Sequence, residues 1–420
     1  MKPSFPASHD AAGPGAAASA PASATAPAPA PAAGWPLLAL GFRPFYLLAG
    51  AYAALAVPLW VAVHGGALPA LGALAGSVWH AHEMIFGYAF AVIAGFLFTA
   101  VRNWTNRPTP SGGALALVCA LWLAARVCVL TPWIELAAAF DLLFAVAVAI
   151  GIARPMIASA NRRNYFFIGL VALLGLAGAT LLIGAGRGSS ALAPLASTLG
   201  LDLVGLIIAI IAGRVVPMFT NNAVLGAGAT RVEALERSAL GVLIALFAVD
   251  ALATLLPAVP SALVTGVLAL LAAGVHALRL ARWRPLRTRA LPILWILHVS
   301  YAWLVIHLAL RGAAAVDLFP ANLATHALTI GAIGGMTLGM MTRTARGHSG
   351  RPLLAGRAEL AAYLLIQLAA LVRVFLPLVL PGAYGTSLTL SALFWSSAFA
   401  LFTVRFWPIL SRPRVDGRPG

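Results

Sequence analysis

The chain has 420 residues, of which 61% are hydrophobic and only 9% charged, with a mean hydropathy of +0.95. A soluble protein of this length needs far more charge to cover its surface, so a water-soluble enzyme is excluded. The net charge of +16 does not mark a nucleic-acid binder. The arginines sit in short connections between apolar runs, as the positive-inside rule requires.

Residues 1–34 are almost entirely Ala, Pro, Ser and Gly. They lack a basic start followed by an apolar core, so the segment reads as a disordered tail rather than a signal peptide. From Trp35 onward, apolar runs of about 20 residues follow one another, the length that crosses a bilayer as helix. The expected fold is all-α, a polytopic membrane bundle of about twelve spans. They fall near 43–63, 78–102, 113–130, 132–153, 163–185, 195–219, 236–256, 259–280, 291–311, 318–343, 356–378 and 386–409. The transmembrane domain is then 35–410, followed by a short basic tail at 411–420. Arginines collect after even-numbered spans, while connections after odd-numbered spans offer Arg187, Arg311 and little else. Both termini should therefore be cytoplasmic. Arg43 opens the first span and is expected to snorkel to the interface. Cys119 and Cys128 lie two and a half turns apart and cannot pair with each other.

Two distant stretches follow one template. His82, Gly87, Gly95, Arg102, Arg107 and Pro108 match His326, Gly331, Gly339, Arg346, Arg351 and Pro352 at every offset. The matches fall on the second and tenth spans. The sixth has Gly205 and Gly213 at the same spacing but no histidine. Spans two, six and ten are the second members of three groups of four, which reads as a parallel repeat. Close helix packing alone also calls for glycine at such spacing.

A histidine in the hydrocarbon core is costly and is usually a ligand, proton carrier or pathway residue. By depth, His80, His82, His326, His307 and His64 form one layer, opposite His276, His298 and the loop residue His348. Two residues separate His80 from His82, about 200° around a helix, so they cannot both point inward. Glu83 lies on the face of His80 and could fix its tautomer. The metal candidates are His82, His326, His80 and His307, with Glu83 as a cofactor-supporting residue. Facing neutral imidazoles suit an iron porphyrin, and further imidazoles suit copper. An interfacial His–Glu cluster with no cofactor is the plainer alternative. Met336, Met340 and Met341 read as packing residues, with copper ligation as the sharper alternative. The glycines around Gly334 and Gly335 would admit a close backbone or a flat ligand. The loops around Arg102, Arg107, Arg343 and Arg346 are expected to touch lipid phosphates. The acids Glu83, Asp141, Asp202, Asp250 and Glu359 form no evident relay, which speaks against a proton pump.

Gly41-Phe42-Arg43-Pro44-Phe45, Trp79-His80-Ala81-His82-Glu83-Met84, Gly213-Arg214-Val215-Val216-Pro217-Met218-Phe219-Thr220 and Met341-Thr342-Arg343-Thr344 with Gly347-His348-Ser349-Gly350-Arg351-Pro352 resemble the NnrS family. The resemblance spans about residues 36–410, with Ser349 where the family's loop is expected to carry Thr. It implies a bacterial inner-membrane protein containing haem b and copper, made in response to nitric oxide and tied to denitrification or nitrosative stress. The layout also resembles, more weakly, the catalytic subunit of haem-copper oxidases, in which histidines of spans two and ten hold a haem. This chain departs from that pattern, because span six has no histidine and span ten has one. The expectation is therefore an iron held between His82 and His326, binding or turning over nitric oxide with an unidentified electron donor. A transporter for metal or haem and a non-catalytic nitric oxide sensor are the rival readings.

Overall fold

The computed structural model describes residues 35–70, 72–74, 76–253 and 261–418. The expected Ala/Pro tail at 1–34 lies outside the described residues. Among the described residues there is no strand, and twelve helices have 17 residues or more. They are α1 (Phe42–His64), α2 (Gly76–Thr105), α3 (Gly112–Cys128), α4 (Ile134–Ala158), α5 (Phe166–Gly186), α6 (Leu192–Ala223), α7 (Glu233–Ala253), α8 (Ser261–Arg282), α9 (Pro292–Ala314), α10 (Ala321–Gly347), α11 (Arg357–Val379) and α12 (Tyr384–Leu410). Each coincides with one expected span. Ten are long and apolar enough to cross a bilayer, and the chain is a multi-pass membrane protein. The exceptions are α3, at 17 residues, and α7, which carries Glu233, Glu236, Arg237 and Asp250.

Successive helices pack side by side, and α12 returns to lie against α1. Inside this ring α6 packs against both α2 and α10. A hydrogen bond joins α2 to α10 directly, between Tyr88 Oη and Thr337 Oγ1 at 2.5 Å. Polar bonds of this kind join membrane helices that have no hydrophobic drive to associate. An apolar crevice with about 50 Å³ of free volume lies among α2, α6 and α10. Val92, Ile208, Ala212, Met336 and Met340 line it. The methionines here are packing residues.

The template seen in sequence has a counterpart in the backbone. In α2 the helix widens to π geometry over Glu83–Ala89, directly after His82. In α10 it does so over Ala327–Gly334, directly after His326. Such bulges insert one residue into a turn and concentrate at functional sites. The long helix α6 runs as regular α-helix through Leu192–Ala223, so the third group differs at this point. The glycines serve packing. A Cβ at Gly95 would lie 2.9 Å from Phe45 Cβ, and one at Gly339 would lie 2.9 Å from Ile296 Cγ2. At Gly331, Gly334 and Gly335 the space is filled by Trp303, Trp395 and Ser300. The surface suggested for a flat ligand is thus covered by side chains.

Several arginines leave their expected places. Arg43 is fully buried and donates from Nη1 to the carbonyls of Leu410 (2.9 Å) and Arg412 (2.8 Å). The carbonyls at the end of α12 lack helical partners, so they satisfy a charge that would otherwise snorkel. Arg346 pairs with Glu359 at 2.5 Å, and Arg343 lies 3.8 Å over the Phe219 ring. Arg311 lies within α9 and joins Asp202 of α6 (2.8 Å) and Asp250 of α7. These side chains bind helices together instead of facing lipid phosphate. Likewise Arg279 grips Glu236 through Nε (2.9 Å) and Nη2 (2.6 Å) and donates to Tyr301 Oη (2.7 Å), which also contacts His276 Nδ1 (2.6 Å).

The loop after α10 clamps the described C-terminal tail. Val415 N donates to the Ser349 carbonyl (3.2 Å), and Arg414 Nη1 donates to that of His348 (2.9 Å). Gly350 has φ of +75°, and a Cβ there would stand 2.7 Å from Asp416 Cγ. Only glycine suits both demands. Burial, reinforced by Arg414, Arg102 and Arg43, holds the His348 imidazole below its usual value. Arg414 keeps the Asp416 carboxyl at about 2. A histidine depressed by folding contributes stability above its unfolded pKa of about 6.5 and loses it as pH falls further. Asp416 stays ionised until far lower pH. The clamp should therefore loosen on acidification from pH 7 to 5, read as faster proteolysis of the C-terminal tail. In His348→Gln that acid dependence should flatten, and an unchanged profile would remove His348 from the clamp.

Candidate functional site

The end of the bundle that carries His64, His80, His82, His307 and His326 holds the densest polar chemistry. Its histidines divide into two separate groups. His82 is fully buried, with Nδ1 2.6 Å from Glu83 Oε1 and Nε2 2.8 Å from Asp141 Oδ2. Arg126 of α3 joins the same two acids, at 3.4 Å from Glu83 Oε1 and in closer contact with Asp141 Oδ1. Tyr52 of α1 donates to Glu83 Oε2. Helices α1, α2, α3 and α4 thus meet in one network of two acids, one arginine, one histidine and one phenol.

His82 Nδ1 bonds Glu83 Oε1, while Nε2 and Asp141 Oδ2 lie 2.8 Å apart with neither atom making a hydrogen bond. Arg126 stands between the two carboxylates, and pairing of this kind is how charge survives away from water. Gly87 is part of the design, because a Cβ there would collide with Arg126 Nη1. With Nδ1 held by Glu83, the His82 ring is oriented by a neighbouring carboxylate. Glu83 bonds His82 rather than the expected His80.

His80 points elsewhere, as the angle to His82 requires. Its ring stacks on Trp60 at 4.2 Å, and His64 stacks nearby on the same indole at 5.0 Å. His80 Nδ1 is buried and has no hydrogen-bond partner among the described residues. The charges that act on His80 are those of His326, Arg373 and His64. His326 in turn feels Arg373. So α1, α2, α10 and α11 bring together His64, His80, His326 and Arg373. In His326, Nδ1 lies 2.6 Å from the Asn322 carbonyl. A carbonyl can only accept, so the proton resides on Nδ1 and Nε2 keeps its lone pair. That is the arrangement in which a neighbouring acceptor orients a histidine ligand. His307 has the same device, with Nδ1 2.8 Å from the Ala324 carbonyl.

These placements decide what the residues can hold. His80 and His326 offer neighbouring imidazoles, one with an orphaned buried nitrogen and one with an oriented tautomer. They fit the axial-ligand chemistry of an iron porphyrin. Among the described residues no three His, Cys, Asp or Glu side chains gather as a metal site. Cys119 and Cys128 are both free and buried.

Sequence reasoning missed Tyr52, Arg126, Asp141, Trp60 and Arg373. In the sequence Asp141 is one of several acids that form no evident relay. The available signal was their rarity, since a buried charge in a membrane span needs a partner.

The architecture and this site define a polytopic helical membrane protein with a histidine-rich centre near one face. The chain belongs to the NnrS family, described as NnrS protein, which matches residues 36–414. Comparison with curated proteins gives no match.

Proposed function

We propose that this chain holds a haem b between α2 and α10, in the bacterial inner membrane with both termini cytoplasmic, and binds nitric oxide there during nitrosative stress. The family assignment supports the setting. The observation that carries the site is the pairing of His80, with its unpartnered buried Nδ1, and His326, whose Nδ1 is committed to the Asn322 carbonyl. When bound, the haem would supply a coordination position for a diatomic ligand and one-electron chemistry.

The chain's own residues do the rest. His80 and His326 bind, and Trp60 fixes the plane of His80 by stacking. The Asn322 carbonyl sets the His326 tautomer. His82, Glu83, Asp141, Arg126 and Tyr52 lock the start of α2 to α1, α3 and α4, which fixes where His80 stands. Nitric oxide is small and apolar, so it can arrive through lipid, and the crevice among α2, α6 and α10 offers it a dry space.

Haem content per chain and the reduced optical spectrum test the assignment. His80→Ala and His326→Ala should each lose most of the bound haem or shift its spectrum to that of a singly ligated iron. His82→Ala should keep the spectrum in whatever fraction folds. Full haem and an unchanged spectrum in His80→Ala, with loss in His82→Ala, would return the iron to His82.

A further inference from the structure

Arg126, Arg279, Arg311 and Arg346 each face at least one carboxylate. Arg373 of α11 faces none. It is 3% exposed, and among the described residues no Asp or Glu lies within ion-pair distance. Its Nη2 donates to Tyr384 Oη at 2.9 Å, and its guanidinium lies 4.8 Å over the same ring. Nε and Nη1 are buried with no hydrogen-bond partner among the described residues. Its charge also acts on His80 and His326. A third orphan, His80 Nδ1, lies in the same group.

An isolated buried cation is among the costliest things a membrane span can contain. Unfilled donors on a guanidinium are most strongly satisfied by an oxyanion. We propose that Arg373, with His80 and His326 beside it, forms a binding site for one small oxyanion with the chemistry of a carboxylate or nitrite. Tyr384, 42% exposed, stands at its mouth and also meets Asn322 Nδ2 at 3.5 Å. The site therefore opens at the histidine end of the bundle. The oxyanion has two sources: a free anion entering past Tyr384, or a carboxylate arm of a resident cofactor. The proposal stands on Arg373 and does not depend on which histidines ligate iron.

The test uses the full-length protein as purified, in nanodiscs. Sodium nitrite and sodium formate are titrated calorimetrically into wild type, Arg373→Gln and Arg373→Lys, and retained haem per chain is measured in all three. If the source is free anion, wild type binds one equivalent. Arg373→Gln then weakens binding by about tenfold or more, as loss of a charged hydrogen bond implies, with haem content unchanged. That result stands even if His80→Ala keeps all its haem. If the source is a resident carboxylate, wild type takes up neither anion. Arg373→Gln then loses the cofactor, while Arg373→Lys retains part of it. Should Arg373→Gln fail to fold, Arg373→Lys decides, because it keeps charge while losing the planar donor set. Wild type that binds no anion, together with a folded variant that keeps its full cofactor, overturns the proposal.

Discussion

Asp141→Ala is expected to destabilise the folded protein by about 3–5 kcal/mol, the range for removing one partner of a buried ion pair. The loss has two parts. Arg126 gives up its close carboxylate, and His82 Nε2 is left facing apolar space. With one acid gone, Arg126 and His82 are left to share Glu83. Asp141→Asn should cost less, because the amide oxygen still accepts from one of them. Thermal unfolding in mild detergent provides the readout. Wild-type stability in Asp141→Ala would mean that the network is not closed in the membrane. A gentler change to all members together, with apolar residues of matching volume, should cost far less than any single removal.

The second large effect belongs to Gly331. Gly331→Ala places a methyl group against the Trp303 ring, which is 4% exposed and tied by Nε1 to Gln367 at 2.8 Å. The ring cannot slide away without breaking that bond. Overpacking of this kind costs about 1–3 kcal/mol, and Gly331→Val should cost more. Adding Trp303→Phe should recover part of the loss, because the smaller ring leaves room. A double-mutant cycle on melting temperatures measures that coupling. Simple additivity would show that the glycine is needed for some other reason. The displaced π turn would also shift His326, so haem affinity should fall along with stability.

The order and length of the helices were legible because apolar runs near bilayer length admit few other readings. The His82 and His326 templates were legible too, and the π turns that follow both histidines give that match a physical form. Partners were not. Nothing in local spacing says that Asp141, 58 residues beyond Glu83, meets the same imidazole from another helix. Periodicity places Glu83 on the face of His80, whereas it bonds His82. Charge placement misled for a related reason. Arg43, Arg311 and Arg346 lie near helix ends, where lipid phosphate and a buried carboxylate or carbonyl are equally reachable by a long side chain. Only the packing of neighbouring helices tells them apart.

The bond from Arg43 to the carbonyls of Leu410 and Arg412 carries a consequence for biogenesis. Helix α1 is synthesised well before α12, so this contact joins residues 367 positions apart in the chain. Until α12 is made, the bundle remains an unsealed arc, with α1 exposed along the flank that α12 will cover. Closure of the bundle is therefore a late step, and loss of α12 would leave a seam along the flank of α1.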